Sequence, residues 1–507
     1  MKHRIFAFML ALCLVVCCAG CGSDAAKSTT APSTGSAPTD PSTPPADSDP
    51  MTDPDAVALK VNGHLITAME LEYFYVDAIN EFINQYSYYI SYILNLSKPL
   101  SQQVNNDSTG ETWADYFLNA GIESVKNTYA LYDAAMASGH TLSQEETDSI
   151  ETLVKNLEEY AKYYKFKSAD EYLQKVYGKH ANTTNYSLYY KVLITASSYY
   201  SAHAQELKES YTPVSLRDFE GDKFYQYNSY SYATVFLDIK DFEDQAAVKQ
   251  AAELLANPEN NSVEKLNAAL EAMEKAKNPE KTTFTTATEV TNKIYTGVSA
   301  LMQEWMRDSA RQEGDITALP YNSTDATGKE TFGGYYVVLF QGVEDNQFPL
   351  ANVRHILVAF ESSNGTTYSE ADKQKAKDEA EKIYQEWKDG DHTEDSFAAL
   401  AKKYTDDGNG DVGGIYYDIY PGQMVTTFND WCFDESRIPG DHGIVQTEYG
   451  YHVMYYSGDS ETTYRDYLVT NDKLAADMEA WQKALIDAAK LETLDTTQVN
   501  LDYIINS

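Results

Sequence analysis

The chain has 507 residues, too many for one ordinary hydrophobic core, so two to four domains are expected. Its formal net charge of −38 argues against a nucleic-acid binder, because phosphate contacts need clustered Lys and Arg. The same acidity favours solubility and repulsion from an anionic surface.

Lys2 and Arg4 precede the apolar run Ile5 to Val16, which is short for a membrane span and has the pattern of a secretory signal over residues 1–20. Ala19 and Gly20 directly before Cys21 resemble the lipobox of bacterial lipoproteins, in which the cysteine is lipidated and becomes the first residue. An ordinary signal peptide cut nearby is the alternative. Residues 21–54 are almost entirely Ser, Thr, Ala, Pro, Gly and Asp, without an apolar set to offset the entropy of folding, and read as a tether. Beyond Cys21 the only cysteine is Cys432, which excludes an internal disulfide in a processed chain and is expected to be a buried, inert thiol.

Residues 55–212 read as mainly helical. Asn62-Gly63 between two short apolar runs suits a hairpin turn, and Thr67 with Glu70 forms a capping box for a helix from Ala68 to about Leu94. Apolar spacing of three and four predicts further helices near 111–138, 143–164, 168–177 and 184–209. The tyrosine-rich stretches here, such as YSYYISYI, either pack these helices together or offer a surface for clients.

After Pro213 the pattern becomes an alternation of strand, helix and turn that runs twice, over 213–346 and 347–458. WMRDSARQEGD at Trp305 and WCFDESRIPGD at Trp431 stand at the same place in each cycle, 126 positions apart, and both read Trp, Asp, Arg, Gly-Asp at equal spacing. One further helix is expected near 472–490.

In the second cycle RHILV (354–358), FAALAKKYTDDGNGDVGG (397–414), GQMVTTF (422–428) and VQTEYGYHVM (445–454) together resemble the parvulin (PpiC-type) peptidyl-prolyl cis-trans isomerase domain. The reaction needs no nucleophile or metal. An X–Pro bond must be carried over a rotation barrier of about 18–20 kcal/mol, which calls for an apolar pocket for the ring and groups that favour the twisted amide. The resemblance implies that His355 and His452 are the paired central histidines and that Asp407 fixes the tautomer of a neighbouring imidazole. It also implies that Met424 and Phe428 line the proline pocket, with Val412, Gln423 and Thr447 at its rim. Val412 replaces a usual Leu and Ile415 a usual Phe. TDDGNGD does not fit the calcium-loop template, since Thr405 and Tyr416 fall where acidic ligands are required. The stretch after HILV lacks the basic cluster of phosphate-directed parvulins.

Laying YATVFLDI on VRHILVAF puts Thr234 opposite His355, and laying GGYYVV on YGYHVM puts Tyr336 opposite His452. Nothing between them reads like GQMVTTF, so 213–346 is expected to be a degenerate parvulin-like domain, with an unrelated α+β insert as the alternative. The whole order resembles the PrsA/SurA class of extracytoplasmic foldases. That implies an α+β multidomain chain: a helical chaperone domain closed by the C-terminal segment 459–507, the degenerate domain, and the parvulin domain. Its expected role is a foldase anchored through Cys21 to the outer face of the bacterial cell membrane. It would act on unfolded exported polypeptides with no cofactor, and a homodimer is compatible with the pattern. A holdase with little isomerase activity is the alternative.

Overall fold

The computed structural model describes residues 53–501 apart from 88, 107, 325–327 and 362–367, so the expected signal, Cys21 and the tether up to residue 52 lie outside the described residues. The chain forms two compact units, one reaching to Tyr211 and resuming at Leu474, the other Thr212–Lys473.

In the first unit β1 (Val57–Val61) and β2 (His64–Thr67) pair across Asn62 and Gly63, whose φ values of 53° and 100° are those a tight hairpin turn requires. Thr67 caps α1 (Ala68–Gln85) by accepting the Glu70 N–H at 3.1 Å. The capping box is only half formed, because the Glu70 carboxylate instead accepts the Tyr129 hydroxyl at 2.5 Å. The helix also ends at Gln85, short of the predicted Leu94, and only the brief helix Ile90–Ile93 follows. Next come α2 (Trp113–Ser138), α3 (Gln144–Tyr163), α4 (Ala169–Tyr177) and α5 (Thr183–Ser210). Thr112, Ser143, Ser168 and Asn182 cap them with their side chains, which is why they start where they do. Tyr73, Tyr75, Tyr129, Tyr177, Tyr186 and Tyr189 are buried in the core, whereas Tyr92 and Tyr163 are 86% and 78% exposed. The hydroxyls of Tyr177 and Tyr189 donate to Asp77 at 3.0 and 2.6 Å. Tyrosine therefore packs the helices at some positions and stands in solvent at others.

The second unit holds two four-stranded antiparallel sheets of one topology. The first copy runs β3 (Ser229–Asp238), α6 (Gln245–Leu255), α7 (Val263–Lys277), β4 (Thr288–Ile294), α8 (Ala300–Met306), β5 (Ile316–Thr324) and β6 (Glu330–Glu344), with strand order β4-β3-β6-β5. The second runs β7 (Pro349–Ala359), α9 (Glu370–Asp389), α10 (Glu394–Tyr404), β8 (Ile415–Ile419), α11 (Thr426–Cys432), β9 (His442–Gln446) and β10 (Gly450–Thr463), with order β8-β7-β10-β9. Matching strands hold matching places, so the two cycles are one fold used twice.

The repeated sequence has a physical cause. Arg311 Nε donates to the Trp305 carbonyl at 3.1 Å with its guanidinium 4.1 Å from the indole centre, and Arg437 does the same to Trp431 at 3.0 and 4.1 Å. Asp308 and Asp434 close the turn on the N–H two residues ahead. Gly314 and Gly440, at φ 89° and 92°, donate to the carbonyls of Phe340 and Tyr456 at 2.9 and 2.8 Å. Each motif thus ties a helix end to the strand beyond it. One expectation is corrected: YTGVSALM (295–302) takes the place of GQMVTTF in the first copy, with Val298 and Met302 standing 126 positions before Met424 and Phe428.

The last helix, α12 (Tyr464–Ala488), starts earlier than the predicted residue 472, where Thr463 accepts the Asp466 N–H at 3.0 Å. From Leu474 the chain belongs to the first unit. There Trp481 stacks on His203 at 4.1 Å, and β11 (Leu491–Thr493) pairs antiparallel with β1.

Candidate active site

β7 and β10 lie side by side with His355 opposite Met454 and His452 opposite Leu357. The two histidines are therefore diagonal neighbours on one face of the sheet. Their rings stack at 5.2 Å with 21° between planes, both buried, and Nδ1 faces Nδ1 at 3.0 Å. The close packing of β7 on the Gly413-Gly414 turn sets this position. Gly414 has φ 72°, and a Cβ there would lie 2.3 Å from the His355 carbonyl oxygen, so only glycine fits.

Asp407 is delivered by the turn after α10. Thr405 Oγ1 accepts the N–H groups of Leu357 and Asp407 at 3.0 and 3.2 Å, and Asp406 accepts the Ala359 N–H at 2.9 Å, which pins the turn to β7. Asp407 Oδ2 then lies 2.9 Å from His355 Nε2 and 2.7 Å from the Tyr416 hydroxyl. The His355 bond first, and the Tyr416 bond after it, hold its carboxyl well below the usual carboxylate range.

That ionised end fixes the direction of the bond it makes with His355. Asp407 can only accept, so His355 donates from Nε2, and in the neutral form of that imidazole its Nδ1 accepts. In that form His452 donates from Nδ1, and its Nε2 accepts from the Thr447 hydroxyl at 2.9 Å. Thr447 Oγ1 in turn accepts the Tyr449 N–H at 3.1 Å. Burial, and then His355, push His452 down to about 3, with Asp407 acting in the opposite sense.

Phe428 of α11 presents its edge to both imidazoles at 5.4 Å and is buried, and half-buried Met424 packs in the same apolar cluster. The structure therefore joins His355, Asp407, His452 and Thr447 in one network against Phe428 and Met424. Thr447, expected at the rim, is buried beneath His452. Val412 is 60% exposed. Gln423 Oε1 accepts the Tyr420 N–H at 3.1 Å and so shapes the turn that carries Met424. Tyr416 was not among the predicted site residues. Its ring lies 5.3 Å from His355, and strand alternation next to Ile415 was the signal that could have found it. Cys432 is buried, which pushes its thiol up to about 12 and removes it from nucleophilic chemistry.

An apolar floor beneath two imidazoles whose nitrogens are all hydrogen-bonded offers no nucleophile. It offers a rigid polar wall beside an apolar pocket, which is the equipment for turning an amide rather than cleaving it. The sequence comparison agrees: residues 355–458 match the Rotamase family, PPIC-type PPIase domain, and constitute a domain of that class. A 115-residue stretch is 32% identical to "Foldase protein PrsA 3" of Bacillus anthracis, covering 22% of this chain and 32% of that protein. The chain thus spans about a third of the length of the curated relative it matches. Among solved structures, a PpiC-type peptidyl-prolyl cis-trans isomerase domain is 24% identical over 23% of this chain and 94% of its own, with a TM-score of 0.19. PrsA from Bacillus subtilis is 16% identical over 78% of this chain and 96% of its own, with a TM-score of 0.28.

Proposed function

We propose that the protein is a foldase that catalyses cis-trans isomerisation of X–Pro bonds in exported polypeptides, held by lipid on Cys21 at the outer face of the bacterial cell membrane. The observation that carries the catalytic part is the continuous hydrogen-bonded network Thr447–His452–His355–Asp407 closed by Tyr416 and floored by Phe428. Uncatalysed isomerisation takes tens to hundreds of seconds, slow enough to limit folding at a translocation exit. The test is a proline-peptide isomerisation assay on the full chain and on His452→Ala. A parent rate no higher than background would end the isomerase reading. Mass spectrometry of membrane-extracted protein tests the anchor, which requires a diacylglyceryl group on Cys21.

A holdase is the second reading. It is favoured by apolar side chains of the first unit left in solvent, among them Tyr92, Tyr163 and Leu188, the last 67% exposed. Suppression of aggregation by a variant lacking both histidines would separate it from catalysis.

A further inference from the structure

A second pair of histidines lies on the helix-covered side of the same domain. His392 sits in the turn between α9 and α10, and His442 is the first residue of β9. Their Nε2 atoms face each other at 3.4 Å, with ring centroids 5.3 Å apart and planes at 67°. Trp387 packs edge-on against both rings, at 4.2 Å from His392 and 4.8 Å from His442. We propose that His392 and His442 form a binding site for a divalent transition ion of the zinc or copper class.

Three observations support it. A nitrogen separation of 3.4 Å is long for an N–H···N bond. It is, however, the spacing of two imidazoles held tetrahedrally at about 2.0–2.1 Å from one ion, which sets their nitrogens about 3.3–3.4 Å apart. The outer contact is also in place: the Tyr384 hydroxyl lies 2.6 Å from His442 Nδ1, and accepting that N–H leaves the Nε2 lone pair free for a metal. Finally, the pair is absent from the other copy of the fold. Ile316 opens the strand there, and residues 256–262 between α6 and α7 contain no histidine, so the architecture does not demand these residues.

Among the described residues no third His, Cys, Asp or Glu completes the set, so water fills the other positions and the ion is exchangeable. The charges facing the pair are Lys388, whose ammonium lies 5.1 Å from the Tyr384 ring centre, and Asp441 beside His442. They oppose one another.

The test is calorimetric titration of zinc and copper chlorides into the chelator-stripped full chain. One ion per chain is expected. His392→Ala, at an exposed turn, and His442→Gln each weaken binding by at least about tenfold. His452→Gln is the control that leaves binding unchanged. Copper should also quench tryptophan emission, and Trp387→Phe should remove most of that quenching. No binding by the parent, or binding that survives His392→Ala, would overturn the site and leave the pair as a surface contact between rings.

Discussion

Thr234 and His355 hold one register position in two copies of one fold. Thr234 pairs with Val338 and His355 with Met454, while Tyr336 pairs with Phe236 as His452 pairs with Leu357. The exchange of residue removes the network. Thr234 spends its hydroxyl on the Val337 carbonyl at 3.1 Å, and Tyr336 packs on Phe236 at 4.7 Å, with Tyr321 edge-on to both. The first copy should therefore contribute no isomerisation. In a proline-peptide assay Thr234→Ala and Tyr336→Ala leave kcat/KM unchanged, whereas His355→Ala in the full chain falls to the uncatalysed rate.

Tyr416 is a positioning residue: its hydroxyl bonds Asp407 and its ring lies against His355. Tyr416→Phe deletes one of the two side-chain bonds to Asp407 Oδ2. A bond to a charged group is worth about 1.5–3 kcal/mol when lost outright, but His355 still holds the carboxylate, so a decrease of about 3–10-fold in kcat is expected with KM little changed. Asp407→Ala strips the buried His355 Nε2–H of its acceptor and should cost more. Imidazole ¹⁵N shifts check the cause. They should report the same tautomers in Tyr416→Phe and altered ones in Asp407→Ala.

What the sequence made legible was whatever depends on neighbours a few residues away. Trp431, Asp434, Arg437 and Asp441 bond mostly to residues within six positions, and Gly440 and Asp441 add only Tyr456 of β10, so their spacing survives as a readable motif in both copies. The four-block pattern pointed to His355, Asp407, His452 and Phe428, and the structure brings them together from β7, the turn after α10, β10 and α11. Long-range choices were not legible. Glu70 abandons its local cap for Tyr129, 59 residues away, and His392 meets His442 across 50 residues. The start of α12 is a different kind of miss. Thr463 with Asp466 is a readable capping signal, hidden by the polar composition of the first turns.

Acid should weaken the fold around the site before it stops catalysis. His452 is held at about 3 by burial, while the same histidine in an unfolded chain takes a proton near pH 6.5. Folded-state pKa below unfolded-state pKa means that the stabilising contribution is complete above about pH 6.5 and declines as pH falls towards about 3. The slope from this group is at most about 1.4 kcal/mol per pH unit. Asp407, also shifted down, adds to the loss only below the ordinary carboxylate range. Protection factors of the β7 and β10 amides, which remove the pH dependence of intrinsic exchange, should therefore fall from pH 7 to pH 5 in the parent and change less in His452→Gln. With His452 neutral throughout that interval, the isomerase rate is expected to stay level.

Arg465, at the start of α12, fastens the segments that enter, join and leave the two copies. Its guanidinium bonds Glu220, the Phe224 carbonyl at 2.7 Å, Asn228 Oδ1 at 2.9 Å and the Asp345 carbonyl at 2.9 Å, and its N–H donates to the Asn346 carbonyl at 2.8 Å. The side chains of Arg465 and Glu220 are only 8% and 15% exposed, so removing one leaves the other's charge buried without its partner. Arg465→Met should destabilise the second unit by about 3–5 kcal/mol, a cost that arises more from the stranded carboxylate than from the lost attraction. Arg465→Met with Glu220→Met should recover most of it, because apolar pairs of similar volume often replace buried ion pairs without loss. Urea denaturation of the parent, the single variant and the double variant decides between these terms. A double variant as unstable as the single one would place the cost in the carbonyl contacts of Phe224 and Asp345, not in Glu220.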